Sequence, residues 1–377
     1  MKCASAAPPR RQLLMMGTSP ATRGGVAAVV QVYRAAGLFE RYAVRYIATH
    51  CDGGAGAKLR LMALAYLRLL AALLRGQVGL LHVHTASRAS FWRKYGLLAL
   101  ADCCGVPAIL HLHGGEFAVF YERECGPLRR WLIRRRFDRA ARVVVLSEQW
   151  QGWVRGISGN RHVEVIPNPV LAGAAAPWAR HEPGTVLCLG RLNRGKGSYD
   201  LLAAAALLRA QGVTLRLLLA GDGEIEAVRA AARALGLEQQ VELLGWVDAE
   251  HKQRLLARAT VLALPSYHEG LPMCVLEAMA AGRPVVSTAV GGIPAAVADG
   301  CEGYLVAPGD VAALADRLGR LLGADALAQS LGAAARRKVD STFASAAVLP
   351  RLERLYGELG MQPLASEKRG PAGPEYG

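Results

Sequence analysis

The segment Ser266-Tyr267-His268-Glu269-Gly270-Leu271-Pro272-Met273 sets one carboxylate just before a glycine and a proline, and Glu277 follows about two helical turns later. Proline is tolerated in a first helical turn, so a helix is expected to begin near Pro272. N–H groups across Gly270, Leu271, Pro272 and Met273 are then expected to face an anion or a sugar. Glu269 and Glu277 can accept hydrogen bonds from vicinal hydroxyls, the way sugars and riboses are held. Their flanks are too apolar for two merely solvated glutamates.

A second cluster is Gly190-Arg191-Leu192-Asn193-Arg194-Gly195-Lys196-Gly197. Arg191 as a planar fork and Lys196 as a point charge can converge on a diphosphate. Spacing alone fits a solvated basic loop equally well, and the glycines do not have P-loop spacing. Gly24-Gly25 precedes an apolar helical stretch, where backbone N–H groups can approach a phosphate; a plain strand-to-helix turn is the simpler alternative. His111 and His113 alternate on one strand face, and His82 and His84 on another. Without a carboxylate cluster nearby they do not make a metal site. His113 is expected to make a polar contact at a cleft lip, with His82 and His111 structural.

Elements must position these groups. Twelve short apolar runs alternate with Ala/Leu/Arg-rich helical stretches: 12–16, 43–49, 80–84, 108–112, 143–146, 163–166, 185–189, 215–220, 241–243, 261–264, 285–287 and 303–306. Continuous Val/Leu/Ile runs between helices predict α/β domains with parallel sheets covered on both faces, whose functional loops lie at the strands' carboxyl ends. Residues 167–184 hold four prolines and no period, which marks a linker. The expected division is 1–168 and 185–343 as Rossmann-like domains, 169–184 between them, 344–362 as a final helical stretch, and 363–377 as a disordered tail.

Composition narrows the class. The chain has 377 residues, is 52% hydrophobic and 20% charged, and carries a formal charge of +15. That supports two cores and excludes global disorder. Eight scattered cysteines without a CxxC pair suggest a reducing compartment. No apolar run is long enough to span a membrane, and Pro8-Pro9-Arg10-Arg11 interrupts any signal sequence, so a cytoplasmic protein is expected. Residues 129–142 hold seven Arg in fourteen positions, with Trp131, Leu132, Ile133 and Phe137 among them. They fit either an interface helix on an anionic membrane or a solvated basic helix. The stretch Leu59–Leu74 is expected to cover the sheet. No zinc finger, heptad or aromatic-interleaved RNA motif favours nucleic acid.

With these residues in order, the chain resembles the retaining glycosyltransferases of family 4, which have the GT-B architecture of two Rossmann-like domains facing across a cleft. The resemblance is carried by Gly24-Gly25, the His113-Gly114 loop, Ser147, Val165-Ile166-Pro167-Asn168 and Gly190-Arg191 with Lys196-Gly197. Ala220-Gly221-Asp222-Gly223, Gly245-Trp246-Val247, Glu269 with Glu277, and Gly291-Gly292-Ile293-Pro294 complete it. It runs from Gln12 to Leu359 and is strongest over 185–310; Ala295 departs from it, where many relatives have Glu. The resemblance implies a nucleotide-sugar donor on the second domain. Arg191 and Lys196 would hold its diphosphate, Glu269 the sugar hydroxyls and Glu277 the ribose. The backbone of Gly270, Leu271, Pro272 and Met273 would lie beside the sugar and phosphate, and Gly245, Trp246 and Val247 near the base. Gly24 and Gly25 would close over the phosphates, and His113 would approach the transferred sugar. It also implies no metal and no cofactor, and a final helix crossing back to the first domain.

The stretch His111–Phe117 resembles mannosyltransferases of bacterial exopolysaccharide assembly, which implies GDP-mannose as donor and a glycan or polyprenyl-diphosphate-linked saccharide as acceptor; a UDP-sugar is the alternative. From another class, a nucleotide-sugar epimerase on the same fold would need acid and base groups poised over the ring.

Overall fold

A computed structural model describes residues 11–173 and 175–364. Cys3, the Pro8–Arg10 part of the N-terminal run and the expected tail beyond residue 364 lie outside the described residues. Each of the twelve apolar runs overlaps a strand. The first sheet contains β1 (Gln12–Thr18), β2 (Arg45–His50), β3 (Val78–Thr85), β4 (Ala108–Leu112), β5 (Arg142–Val145) and β6 (Val163–Val165). The second contains β7 (Thr185–Leu189), β8 (Arg216–Ala220), β9 (Val241–Gly245), β10 (Val261–Leu264), β11 (Val285–Thr288) and β12 (Gly303–Val306).

Their orders are β2-β1-β3-β4-β5-β6 and β12-β11-β10-β7-β8-β9, and every paired neighbour is parallel. In each sheet the chain reverses its direction of winding beside the first strand, between β1 and β3 and between β7 and β10. Adjacent connections there leave the sheet toward opposite faces and open a crevice. The loops singled out above follow β1, β4, β7 and β10, at or next to those crevices.

The helix Ser345–Glu358 lies on the first sheet. Val348, Leu349, Leu352, Leu355 and Tyr356 share one apolar cluster with Leu13, Met15, Leu80 and Ile109. Arg41 pairs with Glu353 at 2.5 Å and Arg142 with Glu358 at 3.2 Å along its edges.

Two helices bear on the membrane reading. The arginine-rich helix is Pro127–Arg139, and Ile133 and Phe137, which an interface helix would turn toward lipid, are 0% exposed in the core. Arg136 is buried too and pairs with Asp102 at 2.6 Å. The reason is the helical period: Ile133, Arg136 and Phe137 fall on one stripe, while Leu128, Trp131 and Arg135 fall on another. That other stripe, with Arg134 beside it, is the exposed one. The helix Ala55–Leu74 covers the sheet with Met62, Ala65, Leu69, Ala72 and Leu73, yet leaves Leu59, Leu67 and Leu74 in solvent. Among the described residues no helix is long and apolar enough to cross a membrane.

Candidate active site

Lys196 and Glu269 meet because two loops are tied together. After β7 the chain makes a tight turn, Arg194–Lys196, in which Asn193 Oδ1 accepts from the Lys196 N–H at 2.9 Å. Gly197 follows at φ +71°, where a Cβ would sit 2.1 Å from the Pro265 carbonyl oxygen, so only glycine lets the loops pass. The Tyr267 N–H then donates to the Gly195 carbonyl at 2.9 Å. The result is a Lys196 Nζ to Glu269 Oε1 contact of 2.5 Å, with the Ser266 hydroxyl donating to the same oxygen at 2.8 Å. Burial works against the Lys196 ammonium, but the Glu269 carboxylate outweighs it and holds the pKa above the ordinary lysine value. Sequence reasoning assigned these two to diphosphate and sugar separately; the structure joins them and adds Ser266.

Glu277 lies in the helix Met273–Ala280, which starts one residue later than expected, with Pro272 at its N-cap. Pro272 has no N–H, so the donors at this end are Gly270, Leu271 and the first turn from Met273. Glu277 Oε1 accepts from Lys252 Nζ at 2.6 Å. Burial raises the Glu277 pKa and Lys252 only partly opposes it. Arg191 is exposed, and no ion pair or side-chain hydrogen bond is recorded for it among the described residues. Its guanidinium is free to take a ligand.

The halves touch at the same point. A Cβ on Gly270 would fall 2.3 Å from the His113 carbonyl oxygen, and one on Gly115 would fall 2.5 Å from Glu269 Cα. Asn168, from the proline-rich connection, donates to the Leu271 carbonyl at 2.8 Å. Met273 enters the apolar cluster of the first sheet. Arg23 stacks over the half-exposed Trp246 ring at 5.2 Å, bridging the loops that carry Gly24 and Gly245. No atom lies within 4 Å of where a Cβ on Gly24, Gly25 or Gly245 would sit, so these glycines border open space. Val247 is partly buried beside Trp246. A cleft of about 340 Å³ continues past Glu269, lined by Gly115, Trp150, Trp153, Tyr267 and Gly291.

His113 belongs to a buried group of imidazoles. Its Nε2 lies 2.8 Å from His84 Nδ1, and its Nδ1 has no partner among the described residues. His82 bridges His111 at 3.1 Å and the Tyr356 hydroxyl at 2.7 Å. Burial lowers the His113 pKa to about 3, with the Asn168 amide opposing and Lys94 adding to the fall, so the ring is neutral. His82, His84 and His111 place ring nitrogens within 4.8 Å of one another, a spacing that could suit a metal. Two of these rings already bond each other, and among the described residues no carboxylate joins them to offset a dication.

Two facing Rossmann-like sheets, with polar loops of both meeting at the cleft, define the GT-B class. Residues 22–171 match the family described as Glycosyltransferase Family 4, and residues 183–324 match Glycosyl transferases group 1. The two matches lie one in each half of the chain, and its fold is that of the GT-B class. It is 31% identical over 260 residues to a glycogen synthase of Mycobacterium tuberculosis, covering 65% of this chain and 62% of that protein. It is 37% identical over 172 residues to the amylovoran biosynthesis glycosyltransferase AmsK of Erwinia amylovora, covering 44% and 42%. The chain thus spans about three fifths or less of these two relatives' lengths. The fold matches Anabaena Alr3699/HepE, solved with UDP and glucose, at a TM-score of 0.73 and 18% identity, over 93% of this chain and 100% of that one.

Proposed function

We propose that the protein transfers a hexose from a nucleoside diphosphate sugar to a glycan or lipid-linked saccharide, with retention and without a metal. The observation that carries this reading is the Lys196–Glu269–Ser266 cluster, set against the His113 carbonyl through Gly270, with unpartnered Arg191 earlier in the same loop as Lys196. Lys196 has three donors: one holds Glu269, and two remain for a diphosphate. With Arg191 it would stabilise the charge that develops on the leaving group, the part a divalent cation otherwise plays. Glu269, fixed by two donors, keeps lone pairs for sugar hydroxyls, and Glu277 with Lys252 would hold the ribose.

Glu116, the one carboxylate of the His113 loop, is engaged with Arg88, so no free base stands there. A front-face route needs none, because the departing phosphate oxygen takes the acceptor proton. GDP-mannose is our preferred donor and bacterial exopolysaccharide our preferred setting, the latter supported by the similarity to AmsK. A UDP-sugar is favoured instead by the fold neighbour solved with UDP and glucose. The exposed face of the helix Pro127–Arg139 would rest on an anionic membrane.

A thermal-shift screen of nucleotide sugars tests the reading. A ligand at 100 times its Kd stabilises by about 2.7 kcal/mol, so the true donor should raise Tm clearly above the others. No shift with any nucleotide sugar overturns the reading. Incubating the donor alone separates transfer from epimerisation, since only an epimerase converts the sugar. Proton NMR of the product should show an α-linkage from an α-donor, and activity should survive EDTA.

A further inference from the structure

The helix Ala55–Leu74 has three faces. Met62, Ala65, Leu69, Ala72 and Leu73 pack on the first sheet. Successive helical residues turn by about 100°, so Leu59, Ala63, Leu67, Leu70 and Leu74 fall together within about 80° on the solvent side. Leu59, Leu67 and Leu74 are 73%, 62% and 76% exposed, although a surface helix normally turns its leucines toward the core. Arg60, Arg68 and Arg75 occupy the adjoining strip, also about 80° wide, and all three are exposed. The helix contains no Asp or Glu. Among the described residues no ion pair or side-chain hydrogen bond is recorded for these three arginines.

A second helix presents the same chemistry in the same direction. In the order β2-β1-β3-β4-β5-β6 the connections from β2 to β3, β3 to β4 and β4 to β5 all run one way across the sheet. Right-handed crossovers therefore put the helices Ala55–Leu74, Ala89–Cys103 and Pro127–Arg139 on one face. The middle helix packs against both others. On the last, Leu128 and Trp131 are exposed on the side opposite the buried Ile133 and Phe137. The outer side of this helical layer is thus apolar, with Arg60, Arg68 and Arg75 flanking it on one helix and Arg134 and Arg135 on the other.

The charges choose what covers this face. A second copy of the chain docked here would bring two such basic strips to one interface, with no carboxylate on the helix to answer them. An anionic bilayer answers both strips at once, its acyl region taking the leucines and its phosphates the guanidinium groups. We propose that the helix Ala55–Leu74 is the apolar anchor of a membrane-docking face, inserting Leu59, Leu67 and Leu74 into an anionic bilayer while Arg60, Arg68 and Arg75 lie at the lipid phosphates. The inference rests on the membrane reading above and goes beyond it by placing the inserting element on a different helix. Arg134 and Arg135 then supply attraction. A shallow apolar anchor holds a protein only marginally without a basic patch beside it, so both helices are required.

The test is co-sedimentation of the full chain with vesicles of mixed phosphatidylglycerol and phosphatidylcholine. Wild type should bind these and not vesicles of phosphatidylcholine alone. Leu67→Ser with Leu74→Ser should raise the lipid concentration at half-binding at least tenfold. Leu67→Trp with Leu74→Trp, better suited to the interface, should lower it. These side chains are exposed, so the serine pair should melt as wild type; if it fails to fold, Arg60→Glu with Arg68→Glu must show the loss instead. Leu207→Ser, at an exposed leucine of the second domain, should bind as wild type. Equal binding by the serine pair and wild type, or no binding by wild type, overturns the anchor. So does a wild-type dimer, seen by sedimentation velocity without lipid, that the serine pair dissociates, since the face would then belong to a second copy. Loss of binding in Arg134→Glu with Arg135→Glu but not in the serine pair leaves the membrane reading standing and strikes this anchor alone. Nucleoside diphosphate affinity, measured by calorimetry, should be the same in wild type and the serine pair, so the transferase reading stands or falls separately.

Discussion

Lys196 and Arg191 sit on one loop in opposite circumstances, and their variants should part accordingly. Each alanine variant leaves leaving-group charge unpaired in the transition state, and turnover should fall by about 2–4 kcal/mol worth, roughly thirtyfold to nine-hundredfold. Lys196→Ala should also lower Tm, because Glu269 is 7% exposed and loses its cation, while exposed, unpartnered Arg191→Ala should melt as wild type. Near-native turnover in either folded variant removes its role. Glu269→Gln should lower turnover while leaving nucleoside diphosphate affinity nearly intact by calorimetry; a lost affinity would place that carboxylate at the nucleotide. Glu269, Lys196 and Glu277 could be read from the sequence because each lies in a short loop or helix start of distinctive composition. Lys252 could not, because it reaches Glu277 only when the helix Ala249–Arg258 packs alongside, 25 residues away in sequence. Asn168 and His84 stand out in the sequence, but their contacts do not, since their partners lie across the domain contact and in the loop after the neighbouring strand.

The pair β3 and β4, with the first residue after β4, carries His82, His84, His111 and His113, all with pKa values lowered first of all by burial. His82 and His113 fall to about 3. Unfolded histidine takes a proton near pH 6.5, so below that pH the unfolded chain binds more protons than the folded one. Stability should therefore be insensitive to these groups above pH 6.5 and fall as pH drops from 6.5 toward 3. Each group contributes up to about 1.4 kcal/mol per pH unit. Urea unfolding at pH 7.5, 6.5 and 5.5 checks this, and equal stability at the last two would mean that the rings are charged or exposed.

The arginine-rich helix makes a second test at this scale. Arg134→Glu with Arg135→Glu should release the protein from anionic vesicles, each Arg near the surface contributing about 1 kcal/mol. Unchanged sedimentation moves the contact elsewhere. Arg136 is excluded from that variant because it pairs with Asp102 in the core. The strands were legible because buried parallel strands are unbroken apolar runs. The outward face of this helix follows from its period, whereas its arginine total, spread over both faces, does not distinguish the buried stripe from the exposed one.

The two halves are held in register by glycine. Gly270→Ala should force the loops apart at the His113 carbonyl, lowering turnover at least tenfold while the circular dichroism stays that of wild type. Gly126→Ala, with nothing within 4 Å, is the control. Equal turnover in both variants would show that the contact is not needed for catalysis. The proline-rich connection betrayed two domains, but which surfaces meet depends on side-chain packing that no local pattern encodes.

The helix Ser345–Glu358 covers apolar residues of β1, β3 and β4, although it follows the whole second domain in the chain. A ribosome adds roughly 5–20 residues per second. The first sheet, complete at Val165, therefore waits roughly 10–40 s for its last covering element. During that interval Leu13, Met15 and Leu80 lack part of their shield, while the second domain is still being made. Newly made protein should thus pass through a stage in which its first half is open to chaperones until the last helix of the chain has been added.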